Sequence, residues 1–135
     1  MGTWAVDSFG NDAACDWGYG LEEAEDLGYI RQTIEKFMSG DGNEEEAGPE
    51  EVIAAVEVVA RLKGNFGERN AYTETMDTWV EQHPQLPPAD LVKLCVAALD
   101  RIMKPGSEIY ELWRESDEFE AWKDSVTDLK SRVSR

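Results

Sequence analysis

Apolar residues recur at three- and four-residue intervals along most of this chain, and a Gly or Pro breaks each run before the next begins. That period is the signature of helices that each bury one face, and no segment carries the alternation of a strand. Leu27, Ile30, Ile34 and Phe37 step three, four and three apart until Ser39-Gly40-Asp41-Gly42-Asn43 stops the run. After the acidic loop Glu44-Glu45-Glu46, Gly48-Pro49-Glu50-Glu51 restarts a helix. Proline suits a first turn, and acids suit its positive dipole end. Val52, Val56, Val59 and Leu62 form the inward face of that helix, Ile53 and Ala60 flank it, and Gly64 ends it.

The remaining segments follow the same logic. Asn11 or Asp12 caps a short helix through Ala13, Ala14, Cys15 and Trp17, weakened at its end by Gly18 and Gly20. Thr73 or Thr75 opens a helix carrying Met76, Trp79 and Val80 as far as His83-Pro84. Pro87-Pro88 starts the next, with Leu91, Leu94, Ala98, Leu99 and Ile102 inward, and Pro105-Gly106 closes it. Ser107 caps a short helix with Ile109, Leu112 and Trp113. Ser116 or Asp117 caps the last one, whose Phe119, Trp122, Val126, Leu129 and Val133 form an a/d seam. Two heptads are short for an autonomous coiled coil, so the seam is expected to pack within the chain. With 135 residues and no internal repeat, the expectation is one all-α domain. It comprises six or seven mostly antiparallel helices, an ordered arm at 1–10, an acidic glycine loop at 40–48 and a second loop at 64–72.

Charge and composition exclude several functions. A net charge of −16 argues against binding a phosphate backbone, which needs a basic surface. No apolar run approaches the ~20 residues of a membrane span. The opening Met1-Gly2-Thr3-Trp4-Ala5-Val6-Asp7 lacks the basic start and apolar stretch of a signal peptide, and Val6 breaks a myristoylation motif. A cytoplasmic protein is expected. The acids are unevenly placed: residues 1–60 hold 15 of them against only Arg31 and Lys36.

Cys15 and Cys95 lie eighty positions apart, and His83 is the only histidine. Three Cys/His residues do not make a structural zinc site, so no metal or cofactor is implied. Both cysteines read as small buried hydrophobes. His83 precedes Pro84 at a helix end, where imidazole meets the last carbonyls. Asp41-Gly42-Asn43-Glu44-Glu45-Glu46 fails as an EF-hand, since Glu46 stands where Gly is needed and Val52 where Glu is needed. Gly64-Asn65-Phe66-Gly67-Glu68-Arg69 lacks the ending of a phosphate loop.

Gly2, Trp4, Phe9, Asn11, Asp12, Ala14, Asp16 and Trp17 carry a recognisable pattern, roughly Gly-x-Trp-Gly-x-x-x-Phe-x-Asn-Asp-x-Ala-x-Asp-Trp. It resembles the opening of the domain of unknown function 4259 family of small bacterial proteins. Ala5 departs from the second Gly of that pattern. The resemblance supports the helical fold and implies no activity.

Two readings of function remain open, beside that of an accessory domain with no dedicated site. In the first, the chain is a non-enzymatic interaction domain whose acidic face engages a basic protein, as an inhibitor or immunity-type protein would. Glu22, Glu23, Glu25, Asp26, Glu44, Glu45 and Glu46 would steer that partner by charge. In the second, Trp4, Asp12, Asp16, Trp17, Arg69 and Tyr72 line a small-molecule cleft between the arm and the 65–72 loop, with Arg69 holding an anion. The same residues also suit a structural role, with the aromatics plugging the core and Arg69 clamped by Asp12 or Asp16. Oligomeric state is not fixed by these features.

Overall fold

The computed structural model describes residues 12–39, 48–67 and 73–135. Seven helices follow in chain order: α1 (Asp12–Glu22), α2 (Gly28–Ser39), α3 (Pro49–Leu62), α4 (Glu74–Gln82), α5 (Ala89–Ile102), α6 (Glu108–Arg114) and α7 (Phe119–Ser134). Among the described residues there is no strand, so the fold is all-α as expected. The arm at 1–10 and most of the 40–48 and 64–72 loops lie outside the described residues.

α3 is the axis. α1, α2, α4, α5 and α7 all pack on it, and every residue from Val52 to Leu62 is buried. The sequence reading gave this helix one inward face, and that is a correction. Ala54, Ala55 and Ala60 are as completely buried as Val52, Val56 and Val59, because their short side chains let neighbours close in from the remaining sides. A helix enclosed all round carries no solvent stripe for amphipathic periodicity to report. The apolar cluster around it draws on all seven helices.

Helix ends follow from local chemistry. Gly64 takes a φ of +87° at the end of α3, its N–H donating to the Arg61 carbonyl while Asn65 N–H reaches the Ala60 carbonyl. These two bonds make a Schellman stop, and they aim Asn65, Phe66 and Gly67 back across the helix. Ser107 caps α6 by accepting from Tyr110 N–H at 3.2 Å. Before α7, Ser116 Oγ accepts from Glu118 N–H at 2.9 Å. The α7 seam packs within the chain, with Trp122, Val126, Leu129 and Val133 buried against α3 and α5. Each such side chain contributes at most ~1.5–3 kcal/mol. Cys95 is fully buried, and burial pushes its thiol up to about 12. Cys15 is half-buried, so the expected pair of buried cysteines holds for Cys95 alone.

α1 runs straight through the two glycines expected to weaken it. The reason is tertiary: Gly20 lies against Tyr29, whose Cζ would stand 2.8 Å from an added Cβ. Tyr29 is held there by stacking on Trp17, with ring centroids 5.1 Å apart, and by donating its hydroxyl hydrogen bond to the Trp17 carbonyl at 2.9 Å. Helix propensity alone favours Ala over Gly by ~1 kcal/mol, whereas overpacking costs ~1–3 kcal/mol. Gly20→Ala is therefore expected to lower stability by up to about 2 kcal/mol in urea titration. A gain in stability would show that Tyr29 yields freely.

Candidate functional site

Four acidic residues converge where α1 turns into α2. Glu22 ends α1, and the chain then folds through Glu23 and Ala24, whose N–H groups donate to the Gly20 and Leu21 carbonyls. Trp79 on α4 pins the turn by donating its indole N–H to the Ala24 carbonyl at 2.9 Å. Asp26 starts α2 by accepting from Gly28 N–H at 2.8 Å. Glu22, Glu23, Glu25 and Asp26 are all exposed on this fixed turn. Among the described residues, no cation pairs with Glu22, Glu23 or Glu25. Glu22 also borders an open, mainly polar depression of about 410 Å³, shared with Glu74, Thr75, Thr78, Trp79 and Gln82 of α4.

A second acidic contact joins α1 to α3. Burial foremost, then the neighbouring Glu50 charge, raises the Glu51 carboxyl above its ordinary value. Asp16 adds to the rise, while a Gly48 backbone hydrogen bond and Lys36 oppose it. Tyr29 is pushed up as well, by burial and then by Glu51.

The proposed cleft residues fare differently. Trp17 is only 4% exposed, and its indole N–H donates to Thr33 Oγ1 at 2.8 Å. Its neighbour Asp16 is exposed, so Trp17 faces the core while Asp16 faces solvent. Asp12 opens α1. Trp4, Arg69, Tyr72, Glu44, Glu45 and Glu46 lie outside the described residues. His83 meets the helix end as expected, with Nδ1 2.9 Å from the Trp79 carbonyl and its ring stacked on Trp79 at 4.4 Å.

Sequence reasoning missed the strongest electrostatic feature. Glu57 and Arg61 pair within α3, fully enclosed, and Arg61 Nε reaches Asp77 of α4 at 2.6 Å. Arg132 of α7 closes on Glu57 from the other side, Nη1 at 2.5 Å to Oε1 and Nη2 at 3.0 Å to Oε2. Asp128 accepts from Arg132 Nε at 2.7 Å, and Thr73 donates to Asp77 Oδ2 at 2.7 Å. Burial pulls the Arg132 guanidinium down, but its hydrogen bonds and charges with Glu57 and Asp128 outweigh this and hold it above its ordinary value. The loop after α3 seals the group: an added Cβ at Gly67 would stand 2.8 Å from the Arg132 guanidinium, and Arg61 lies over the Phe66 ring. One signal was available, two opposite charges four apart inside Val-Ile-Ala-Ala-Val-Glu-Val-Val-Ala-Arg-Leu. Charges inside so apolar a run must find partners or leave the core.

A family model described as Domain of unknown function (DUF4259) matches residues 2–125. The chain belongs to this family. No curated protein and no solved structure matches it. Membership of DUF4259 brings no assigned chemistry, so function rests on the side chains themselves. Among the described residues, no three His, Cys, Asp or Glu gather to hold a metal, and no helix is long and apolar enough to cross a membrane.

The buried and exposed ion pairs should separate by stability. Arg61→Met leaves Glu57 and Asp77 without their shared cation and is expected to cost ~3–5 kcal/mol by chemical denaturation. Asp100→Ala, which breaks a half-exposed pair with Lys130, is expected to cost less than ~1 kcal/mol. Equal losses would contradict the burial described here. For Glu51 the sign runs the other way. A raised carboxyl disfavours the folded state wherever it is ionised, so Glu51→Gln should stabilise the protein at neutral pH. That advantage should fade as pH falls through the raised folded value toward the unfolded one, which paired melting curves from pH 7 to about pH 4 would show.

Proposed function

We propose that this chain is a non-enzymatic interaction domain that engages a basic protein through its acidic α1–α2 turn. The observation that carries this reading is the position of Glu22 and Glu23 at the C-terminal end of α1. A helix C-terminus carries partial negative charge, so acids there are locally unfavourable and bases favourable. The last turn of α1 has no basic residue, yet it holds Glu22 and continues into Glu23 and Glu25. Local stability does not account for such an arrangement, and departures of this kind concentrate where function needs them.

Several acids elsewhere are answered by a base. Asp90, Glu111, Glu120, Asp100 and Asp128 each meet a Lys or Arg within 3.3 Å. Arg31, one of only two bases in the first sixty residues, is engaged by Asp90. The turn thus keeps an uncompensated negative field that would speed encounter with a basic surface and reject an acidic one. An inhibitor or immunity-type protein that covers a basic enzyme is one form this function could take.

Replacing Glu22, Glu23 and Glu25 together with Lys tests the reading. Because Lys suits a helix C-terminus, each of the two changes nearest α1 should add ~0.3–1 kcal/mol, leaving the melting temperature equal or higher. The wild-type chain, immobilised and challenged with lysate of its source organism, should retain a basic protein that moderate salt releases. The Lys variant should retain none of it. Identical retention by both forms would overturn the proposal.

A further inference from the structure

A largely solvent-facing strip, with Pro87 half-buried, joins α4 to α5. Residues 84–88, Pro84-Gln85-Leu86-Pro87-Pro88, form no helix or turn, and Leu86 is 81% exposed, more than any other large apolar side chain among the described residues. Three prolines fix φ near −65° at their positions, and Pro88 takes φ −63° and ψ 152°, the values of a polyproline II helix. Every described peptide bond is trans. Among the described residues, the backbone of Gln85 and Leu86 makes no hydrogen bond, as a polyproline II strip requires. That helix has three residues per turn, so Pro84 and Pro87 share an edge and Leu86 flanks it.

Both ends of the strip are fastened. His83 is stacked on Trp79 at the end of α4, and the Pro88 carbonyl accepts from Leu91 and Val92 N–H at the start of α5. A ligand strip held in its bound form gives up little conformational entropy on docking. We infer that residues 84–88 are a preformed polyproline II ligand for an aromatic-lined groove of the SH3 or WW type, with Leu86-Pro87 seated in one pocket and Pro84 in the next. Such grooves recognise the Pro-x-x-Pro spacing found here. Glu81 and Asp90 flank the strip, Asp90 already paired with Arg31 at 3.1 Å, so the groove that suits it is one without an acidic rim. This inference stands on observations independent of the acidic turn.

The test is a titration of the full chain into a panel of isotope-labelled SH3 and WW domains with neutral or basic rims, followed by NMR. At least one domain should shift, at its groove aromatics only, with micromolar affinity. Leu86→Ala should weaken that binding roughly tenfold or more, the change expected when a Leu loses its pocket. Its melting temperature should match wild type, because the side chain is already in solvent. The Lys variant of Glu22, Glu23 and Glu25 should bind the same domain unchanged. No shift in any domain, equal binding by Leu86→Ala, or slowed hydrogen exchange at the Gln85 and Leu86 amides would each overturn the inference.

Discussion

Enclosing a helix on every side leaves its charges nowhere to go, and the arrangement of α3 turns on that constraint. Glu57 and Arg61 cannot reach water, so α4 must supply Asp77 and α7 must supply Arg132. Glu57 accepts from Arg61 on one side and from the Arg132 fork on the other, with two acids and two bases balanced inside. Such groups contribute modestly to net stability, because desolvation offsets most of the attraction. Their geometry is more demanding than apolar contact. A guanidinium fork meets a carboxylate in few orientations, so the Arg132–Glu57 pair fixes how α7 lies along α3. Gly67 then has to be a glycine, because the loop backbone passes over the guanidinium too closely for a side chain.

The helices were legible in the sequence to the extent that each has a wet side. α2, α5 and α7 show their apolar stripes plainly, and most of their buried apolar residues fall where the spacing places them, although Leu27, Phe37, Leu94 and Phe119 are only half-buried. α3 was legible as a helix but not as an enclosed one, since a stripe is only half of what it buries. Gly18 and Gly20 misled for another reason. Their partners are Met76 and Tyr29, which sequence spacing does not bring to mind, so intrinsic propensity was the only visible term.

The site divides in the same way. Glu22, Glu23, Glu25 and Asp26 could be read as a group because they are contiguous and a turn presents them together. Trp17 could not be assigned, because a tryptophan built for a ligand and one built for the core look alike until Thr33 and Tyr29 are in place. Of the ion group, Glu57 and Arg61 carried a signal in their apolar run, but their long-range partner was beyond reach. Arg132 lies 75 positions from Glu57, and nothing around it in the sequence marks it as buried.

Internal pairing and outward charge are two sides of one distribution. Arg61 and Arg132 are consumed inside, and Arg31, Lys123 and Lys130 are held by carboxylates at the surface. Among the described residues none of these bases reaches Glu22, Glu23 or Glu25, so the negative charge of the α1–α2 turn goes unanswered. At physiological ionic strength that field decays over ~8 Å, so only carboxylates as close together as those of the α1–α2 turn act as a unit. A field that short guides approach but gives little hold, and durable binding needs apolar area beside it. Tyr19 supplies such area. It is 66% exposed and lies three residues before Glu22, on the same face of α1, and four before Glu23 of the turn. On the proposed reading, the acids bring a basic surface to this face and Tyr19 gives it something to close upon.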